Sequence, residues 1–388
     1  MKFGRINTIV TIGLAVVFLI SVLVIALTPT SKTANIVEQG FKQSGEQSQV
    51  GIDEEMNNSA YKSSSLDGPL FAPFIDMASW VDGSSEYSLK GVPNLGKVYD
   101  EIGCEYYFLG FIRPDDASPL TSDGTIRWGW GGFYGLSEKG NDGYQYEGIK
   151  QSIANLRERG GDVVVSVGGQ LGRSPWTVSQ NVTKLRDMYL EIIDAYDLST
   201  IDLDIEEANQ GYEQNVANAK AIKRVQDARG VAVTLTIPIM PYGYTTTQKN
   251  LLRAYIGNGV NIKFINSMTM CYGNEVEKGE DFAEASIRAI MNAKDQVKSI
   301  YQEYGREMTD SEVYKMLGAT VDIGYENQYN PVFTPEMTES VASFANDVGL
   351  GMFSYWCVNR DAMMQYNKAI DTKYAFYDAG LKFLENKK

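Results

Sequence analysis

The chain has 388 residues, no histidine and a formal net charge of −14. Without histidine, Ser-His and Cys-His nucleophiles and every His-ligated metal site are excluded, so acid–base work falls to carboxylates, Tyr, Lys or Cys. The acidic balance speaks against nucleic acid or an anionic lipid surface as the main partner and suits an uncharged polymer. Hydrophobic residues make up 44%, enough for a large buried core. The three cysteines, Cys104, Cys271 and Cys357, are too few and odd in number for a disulfide framework, and we expect free thiols, largely buried.

Residues 8–27 are apolar and uncharged, and about 20 such residues cross a bilayer core as a helix. Lys2 and Arg5 keep a short N-terminus, residues 1–7, on the inside. A cleaved signal peptide is the alternative, although its apolar core is usually shorter, about 7–15 residues. Either reading carries the rest of the chain across the membrane. Residues 28–68 are rich in Ser, Gln, Asn and Glu with scattered apolar positions. Such a segment buries too little surface to offset its ordering entropy, and reads as a flexible linker.

From 69 to 385 short apolar runs alternate with amphipathic stretches. The runs lie at 71–80, 105–112, 162–169, 200–206, 231–238, 264–270, 316–322 and 350–356. Helical periodicity fills segments such as 146–160, 182–196 and 283–305. Strand then helix, eight times over, predicts an α/β fold with a parallel sheet closed into a (β/α)8 TIM barrel. A doubly wound open sheet is the alternative, but no Gly-rich phosphate loop supports it. The connection from Pro114 to Tyr146 is long and aromatic, which marks it as functional rather than disordered.

The fourth run reads Ile201-Asp202-Leu203-Asp204-Ile205-Glu206. Side chains alternate along a strand, so the three acids share one face and the three aliphatics the other. In a barrel the aliphatic face packs under the helices. The acids then point inward, with Glu206 at the C-terminal mouth where barrel active sites form. Three acids in a packed interior cannot all ionise, because desolvation and like charge both raise carboxyl pKa values. A proton shared along this ladder would keep Glu206 protonated near neutral pH, as a general acid requires. A hard-metal site needs more oxygen ligands than one strand face offers, and we expect neither metal nor cofactor.

At this point the sequence resembles glycoside hydrolase family 18, in its bacterial chitinase-like branch. Its motif D-x-x-D-x-D-x-E is matched by Ser199, Asp202, Asp204 and Glu206, and S-x-G-G by Ser166, Gly168 and Gly169. Residues 238–245 (PIMPYGYT), 266–273 (NSMTMCYG), 351–356 (GMFSYW) and Asn359-Arg360-Asp361 follow in the family order. The resemblance implies a retaining, substrate-assisted hydrolysis of β-1,4-linked N-acetylglucosamine polymers, outside the usual two-carboxylate scheme. In it Glu206 is the acid/base, Asp204 holds the substrate acetamide N–H, Asp202 buffers charge behind Asp204, and Tyr272 donates to the acetamide oxygen. Trp356 would be the floor under the cleaved sugar, with Met268, Met270 and Cys271 lining the pocket. Trp128, Trp130, Tyr134, Trp176, Tyr242 and Tyr244 are read as loop aromatics at the same mouth, since sugars stack on aromatic faces. Ser166, Gly168 and Gly169 read as structural, and Asn359-Arg360-Asp361 as a loop brace.

Two departures stand out. Ser199 replaces the first acid of the motif, and Cys271 replaces the family's sixth-strand Asp, which puts pocket shape, pH optimum and substrate preference in doubt. The expected partner is chitin or N-acetylglucosamine-containing oligosaccharides, met by a monomer tethered through its N-terminal helix. The alternatives are a catalytically impaired oligosaccharide-binding protein, or an endo-β-N-acetylglucosaminidase acting on N-glycans or peptidoglycan.

Overall fold

The computed structural model describes residues 68–141, 143–325, 332–364 and 369–385. The expected membrane helix at 8–27, and the linker apart from Gly68, lie outside these residues. Among the described residues no helix is long and apolar enough to cross a membrane.

The strands are β1 (Leu70–Phe71), β2 (Phe74–Asp76), β3 (Ser88–Leu89), β4 (Val92–Pro93), β5 (Tyr106–Pro114) and β6 (Trp128–Trp130). They continue with β7 (Asp162–Gly168), β8 (Thr200–Asp204), β9 (Ala232–Pro238), β10 (Ile262–Met268), β11 (Leu317–Asp322) and β12 (Met352–Trp356). The main helices are α1 (Leu95–Ile102), α2 (Tyr144–Arg157), α3 (Val182–Tyr196) and α4 (Tyr212–Arg229). After them come α5 (Thr246–Gly257), α6 (Phe282–Glu303), α7 (Pro335–Val348) and α8 (Ala375–Gly380). At least one helix thus follows each barrel strand, with a second, Pro175–Val178 after β7 and Asp310–Met316 after β10.

The sheet runs β1-β12-β11-β10-β9-β8-β7-β5-β2, with every pair along it parallel. Its two edges are one stretch of chain. Ala72 and Pro73 separate β1 from β2; Ala72 N–H donates to the Phe353 carbonyl at 3.1 Å, and Phe108 N–H to the Pro73 carbonyl at 3.0 Å. The proline supplies no donor, so the chain crosses from one neighbour to the other there. The result is the expected TIM-barrel-like α/β fold.

Alternation along the strands sorts the side chains into two layers. Ile201, Leu203 and Ile205 are wholly buried in the large cluster between sheet and helices. Leu70, Phe74, Phe108, Val164, Phe264 and Met352 form a second, smaller apolar cluster that plugs the barrel interior. Helix starts follow local chemistry. Asn181 Oδ1 accepts from Thr183 and Lys184 N–H at the head of α3, and Asp281 with Glu284 forms a capping box on α6.

One element was not expected. Within the long connection after β5, β6 pairs antiparallel with β5 through Ile112↔Trp130 and Pro114↔Trp128. Gly129 sits where an added Cβ would lie 1.9 Å from the Phe133 carbonyl oxygen, so the tight return of this loop requires glycine.

Candidate active site

β8 enters the barrel interior between β7 and β9, in register Ser166↔Asp202, Gly168↔Asp204 and Asp204↔Thr236. Asp202 accepts from Ser166 Oγ at 2.6 Å and from Thr236 Oγ1 at 2.8 Å. The chain of polar groups continues: Asn266 Nδ2 donates to Thr236 Oγ1 at 3.0 Å, and Thr320 Oγ1 to Asn266 Oδ1 at 2.9 Å. A hydrogen-bonded belt therefore crosses five strands, β7 to β11, just above the apolar plug. Composition of the separate strands showed Ser, Thr and Asn, but only the closed register makes them partners.

Asp204 stands one step higher. It is buried, and its Oδ1 has no hydrogen-bond partner among the described residues. Gly168 makes room for this approach, since a Cβ there would lie 2.0 Å from the Asp204 carbonyl oxygen. That bears out the structural reading of the S-x-G-G run. The strand ends at Asp204, and Glu206 begins a short 3-10 turn, Glu207–Gln210.

Electrostatics follow burial. Desolvation pushes Asp202 up to about 7, against the pull of its two hydroxyl donors. Desolvation, then the charges of Glu206 and Asp202, hold Asp204 well above the ordinary carboxylate range. Desolvation and the neighbouring Glu207 raise Glu206 to about 7. Asp204 and Glu206 therefore titrate as a pair. Burial thus raises all three carboxyls above the ordinary range, most of all Asp204.

Above the ladder a cavity of about 460 Å³ opens at the C-terminal ends of the strands. Asp204 and Glu206 line it together with Trp356, Met268, Met270 and Cys271. Trp356 stacks on Phe111, with ring centroids 5.4 Å apart and planes 21° from parallel. Asp202 is buried and outside the lining.

Four of the expected site residues are elsewhere. Trp128 and Trp130 on β6 are 1% and 0% exposed. Their indoles donate away from the mouth, to Glu191 Oε1 at 3.1 Å and to the Tyr196 hydroxyl at 2.7 Å on α3. The antiparallel pairing with β5 turns both rings inward, so they are core residues and not sugar platforms. Tyr272 is also buried: its ring stacks on Phe282, and its hydroxyl donates to Ser286 Oγ at 3.3 Å. Cys271 adopts a left-handed φ of 55°; Cys271 lies in the cavity wall, while Tyr272 packs against α6 and is outside the lining. Tyr242 is half exposed and outside the cavity lining. Of the other loop aromatics, Trp176 and Tyr244 are buried, bonded to the Asn209 carbonyl and to Ser267.

The cavity also contains residues the motifs did not supply. Asp76 ends β2, Asp322 ends β11, Arg113 is the next-to-last residue of β5, and Asp116 follows that strand. A polar residue at the C-terminal end of a barrel strand is a mouth residue by construction, so Asp322 was findable from the end of the run 316–322, whereas Asp76 lies inside the run 71–80. Arg113 was missed because the apolar run 105–112 stops one residue short of it; its guanidinium donates to Asp116 at 3.1 Å.

The fold is thus TIM-barrel-like, and at its mouth Asp204, Glu206 and Trp356 line one cavity. No family model matches the chain. Two curated relatives do: the probable bifunctional chitinase/lysozyme of Escherichia coli and endochitinase 11 of Metarhizium anisopliae, each 28% identical over 305 residues. The match takes in 75% of this chain but 31% and 52% of those proteins. Among solved structures, active domain 2 of the Pyrococcus furiosus chitinase, complexed with chito-oligosaccharides, is 26% identical, with a TM-score of 0.66 over 81% of this chain and 94% of that one. These likenesses bear out the resemblance to glycoside hydrolase family 18.

Proposed function

We propose that the chain hydrolyses β-1,4-linked N-acetylglucosamine polymers of the chitin type with retention of configuration. The observation that carries this is one cavity lined by Glu206, Asp204 and Trp356, with the Asp204 Oδ1 buried and without a hydrogen-bond partner among the described residues. The ring of Trp356 takes the C–H face of the sugar to be cleaved. The Glu206 carboxyl gives its proton to the glycosidic oxygen as the bond to the anomeric carbon breaks. The acetamido carbonyl oxygen of the same sugar attacks that carbon, and a cyclic oxazolinium ion forms. Asp204 accepts from the acetamido N–H, which aligns the carbonyl and stabilises the developing positive charge. The Glu206 carboxylate then takes a proton from water. The water oxygen attacks the anomeric carbon and the acetamide is released, which restores the acid. Every step is served by carboxylates, in keeping with a chain that has no histidine.

The test is Glu206→Gln assayed on a chromogenic chitobioside and on N-acetylglucosamine hexamer. Turnover equal to that of the unaltered chain would falsify the assignment. Cys271 in the cavity wall favours one second reading, an oligosaccharide-binding protein with impaired catalysis; tight hexamer binding with no product over days would select it. For location we propose a surface-tethered enzyme held by residues 8–27, on the strength of that uncharged apolar run. Protease added to intact cells should then remove the barrel.

A further inference from the structure

The sheet does not by itself hold Glu206. β8 ends at Asp204. Among the described residues, the last backbone bond to β9 joins Ile205 N–H to the Thr236 carbonyl at 2.9 Å, one residue short of the acid. The turn that follows takes over: the Glu206 carbonyl accepts from Asn209 N–H at 2.9 Å. Glu207, between them, has a left-handed φ of 46°, a conformation that a residue with a side chain keeps only where its surroundings enforce it.

The surroundings act through Asn209. It is the buried residue of the turn, 2% exposed, whereas Glu207 and Ala208 are exposed. Three donors converge on it. Its Oδ1 accepts from Ser174 N–H at 3.0 Å, and its carbonyl accepts from Trp176 Nε1 at 2.7 Å and from Asn215 Nδ2 at 2.9 Å. Ser174 and Trp176 belong to the start of the short helix Pro175–Val178 after β7, and Asn215 to α4.

Behind Asn215 the bonds run on through wholly buried side chains. Tyr255 on α5 donates to Asn215 Oδ1 at 3.1 Å, Asn218 Nδ2 to the Tyr255 hydroxyl at 2.7 Å, and Tyr189 on α3 to Asn218 Oδ1 at 2.9 Å. The far end of the turn is tied as well, by Gln248 Nε2 donating to Gln210 Oε1 at 2.5 Å. Such a network is stiff, because each bond broken would leave an unpaired polar group in a low-dielectric interior.

We infer that Asn209 is a positioning residue for the acid/base. Clamped by Ser174, Trp176 and Asn215, it fixes the turn that bonds the Glu206 backbone, and with it the line along which the Glu206 carboxyl enters the cavity. Asn209 itself is outside the cavity lining, and Glu206 is in it. Trp176, expected from the sequence to meet sugar, serves the reaction from behind. This rests on the hydrolase reading and adds what keeps the proton of Glu206 in line with the glycosidic oxygen. The consequence is specific to proton transfer. A misaimed acid slows departure of a basic leaving group and hardly affects one that leaves as a stable anion. A general loss of packing would slow both alike.

The experiment uses the full chain with Asn209→Ala or with Trp176→Phe, which removes one donor and keeps an aromatic ring. Two substrates are compared by kcat/KM, which reports the steps up to departure of the leaving group. N-acetylglucosamine hexamer releases a sugar hydroxyl; 2,4-dinitrophenyl chitobioside releases an anion that needs no proton. Each variant should lower kcat/KM on the hexamer by about 10- to 100-fold, the scale of a misplacement of about 1 Å. The loss on the dinitrophenyl substrate should stay below about threefold. Hexamer affinity, measured by calorimetry with Glu206→Gln added, should not change. Equal losses on the two substrates, unchanged kinetics, or weakened binding that accounts for the loss would overturn the inference. If Asn209→Ala does not fold, Trp176→Phe decides alone. An unaltered chain that cleaves neither substrate would end the hydrolase reading and this inference with it; an unaltered chain that cleaves both, with variants that show no leaving-group bias, would end this inference only.

Discussion

The two walls of the cavity use the same residue type to opposite ends. On β8 and just beyond it, the acids have no lysine or arginine bonded to them among the described residues, and burial raises their carboxyls. On β11 the acid is ion-paired with Arg360, and Asp76 on β2, pushed up only to about 6, has two backbone N–H groups and Arg113 to favour its charge. A carboxyl becomes an acid or a fixed acceptor according to whether a donor of positive charge accompanies it into the interior. Catalysis is assigned to the first wall.

The contrast can be broken most severely at Glu206. Glu206→Gln should lower kcat by about 10²- to 10⁴-fold, the usual worth of a general acid, with KM for the chitobioside little changed. Next comes Arg360→Met, which turns the second wall into a copy of the first. It leaves Asp322 buried without its cation and should cost about 3–5 kcal/mol of stability, read from urea unfolding. A variant of wild-type stability would show that the pair does not hold the wall.

A third test concerns pH. Asp202 has a folded pKa near 7, above its unfolded value of about 3.9. Its contribution to stability is full below the unfolded value and declines as pH rises through about 7. Asp202→Asn should therefore flatten the fall of stability between pH 4 and 7, measured by thermal unfolding across that range. Activity should follow the same sign, since Glu206 must be protonated to act, and kcat should fall as pH rises past about 7.

The smallest expected effect sharpens the floor between the walls. Of the three thiols, Cys104 and Cys357 are buried and pushed up to about 12 by desolvation, whereas Cys271 is exposed in the cavity. A methanethiosulfonate reagent should modify one site, Cys271, and hexamer should slow the reaction several-fold by occlusion. Modification of two or three thiols in the folded chain would contradict this arrangement.

Where the sequence was legible, a period carried the message. Ile201, Leu203 and Ile205 against Asp202, Asp204 and Glu206 fix which side faces the helices, because a strand has no other way to alternate. The same reasoning located the eight strands and the chain order of the mouth. The aromatics had no period to constrain them. Trp128 and Trp130 lie two apart in a glycine-rich loop, which suits an exposed platform as well as a buried hairpin strand. Their indole partners on α3 lie more than sixty positions away.

The sequence by itself determined the barrel, the acid ladder and its place at the strand ends, because those depend on neighbours one to four residues apart. Only the tertiary structure decided that Tyr272 packs against α6, that Asp76 and Asp322 share the cavity with Trp356, and that Asn359 and Arg360 bond them there. Those facts depend on which strands become neighbours when the sheet curls round. Such contacts join residues up to 283 positions apart, a distance over which local propensity carries no information.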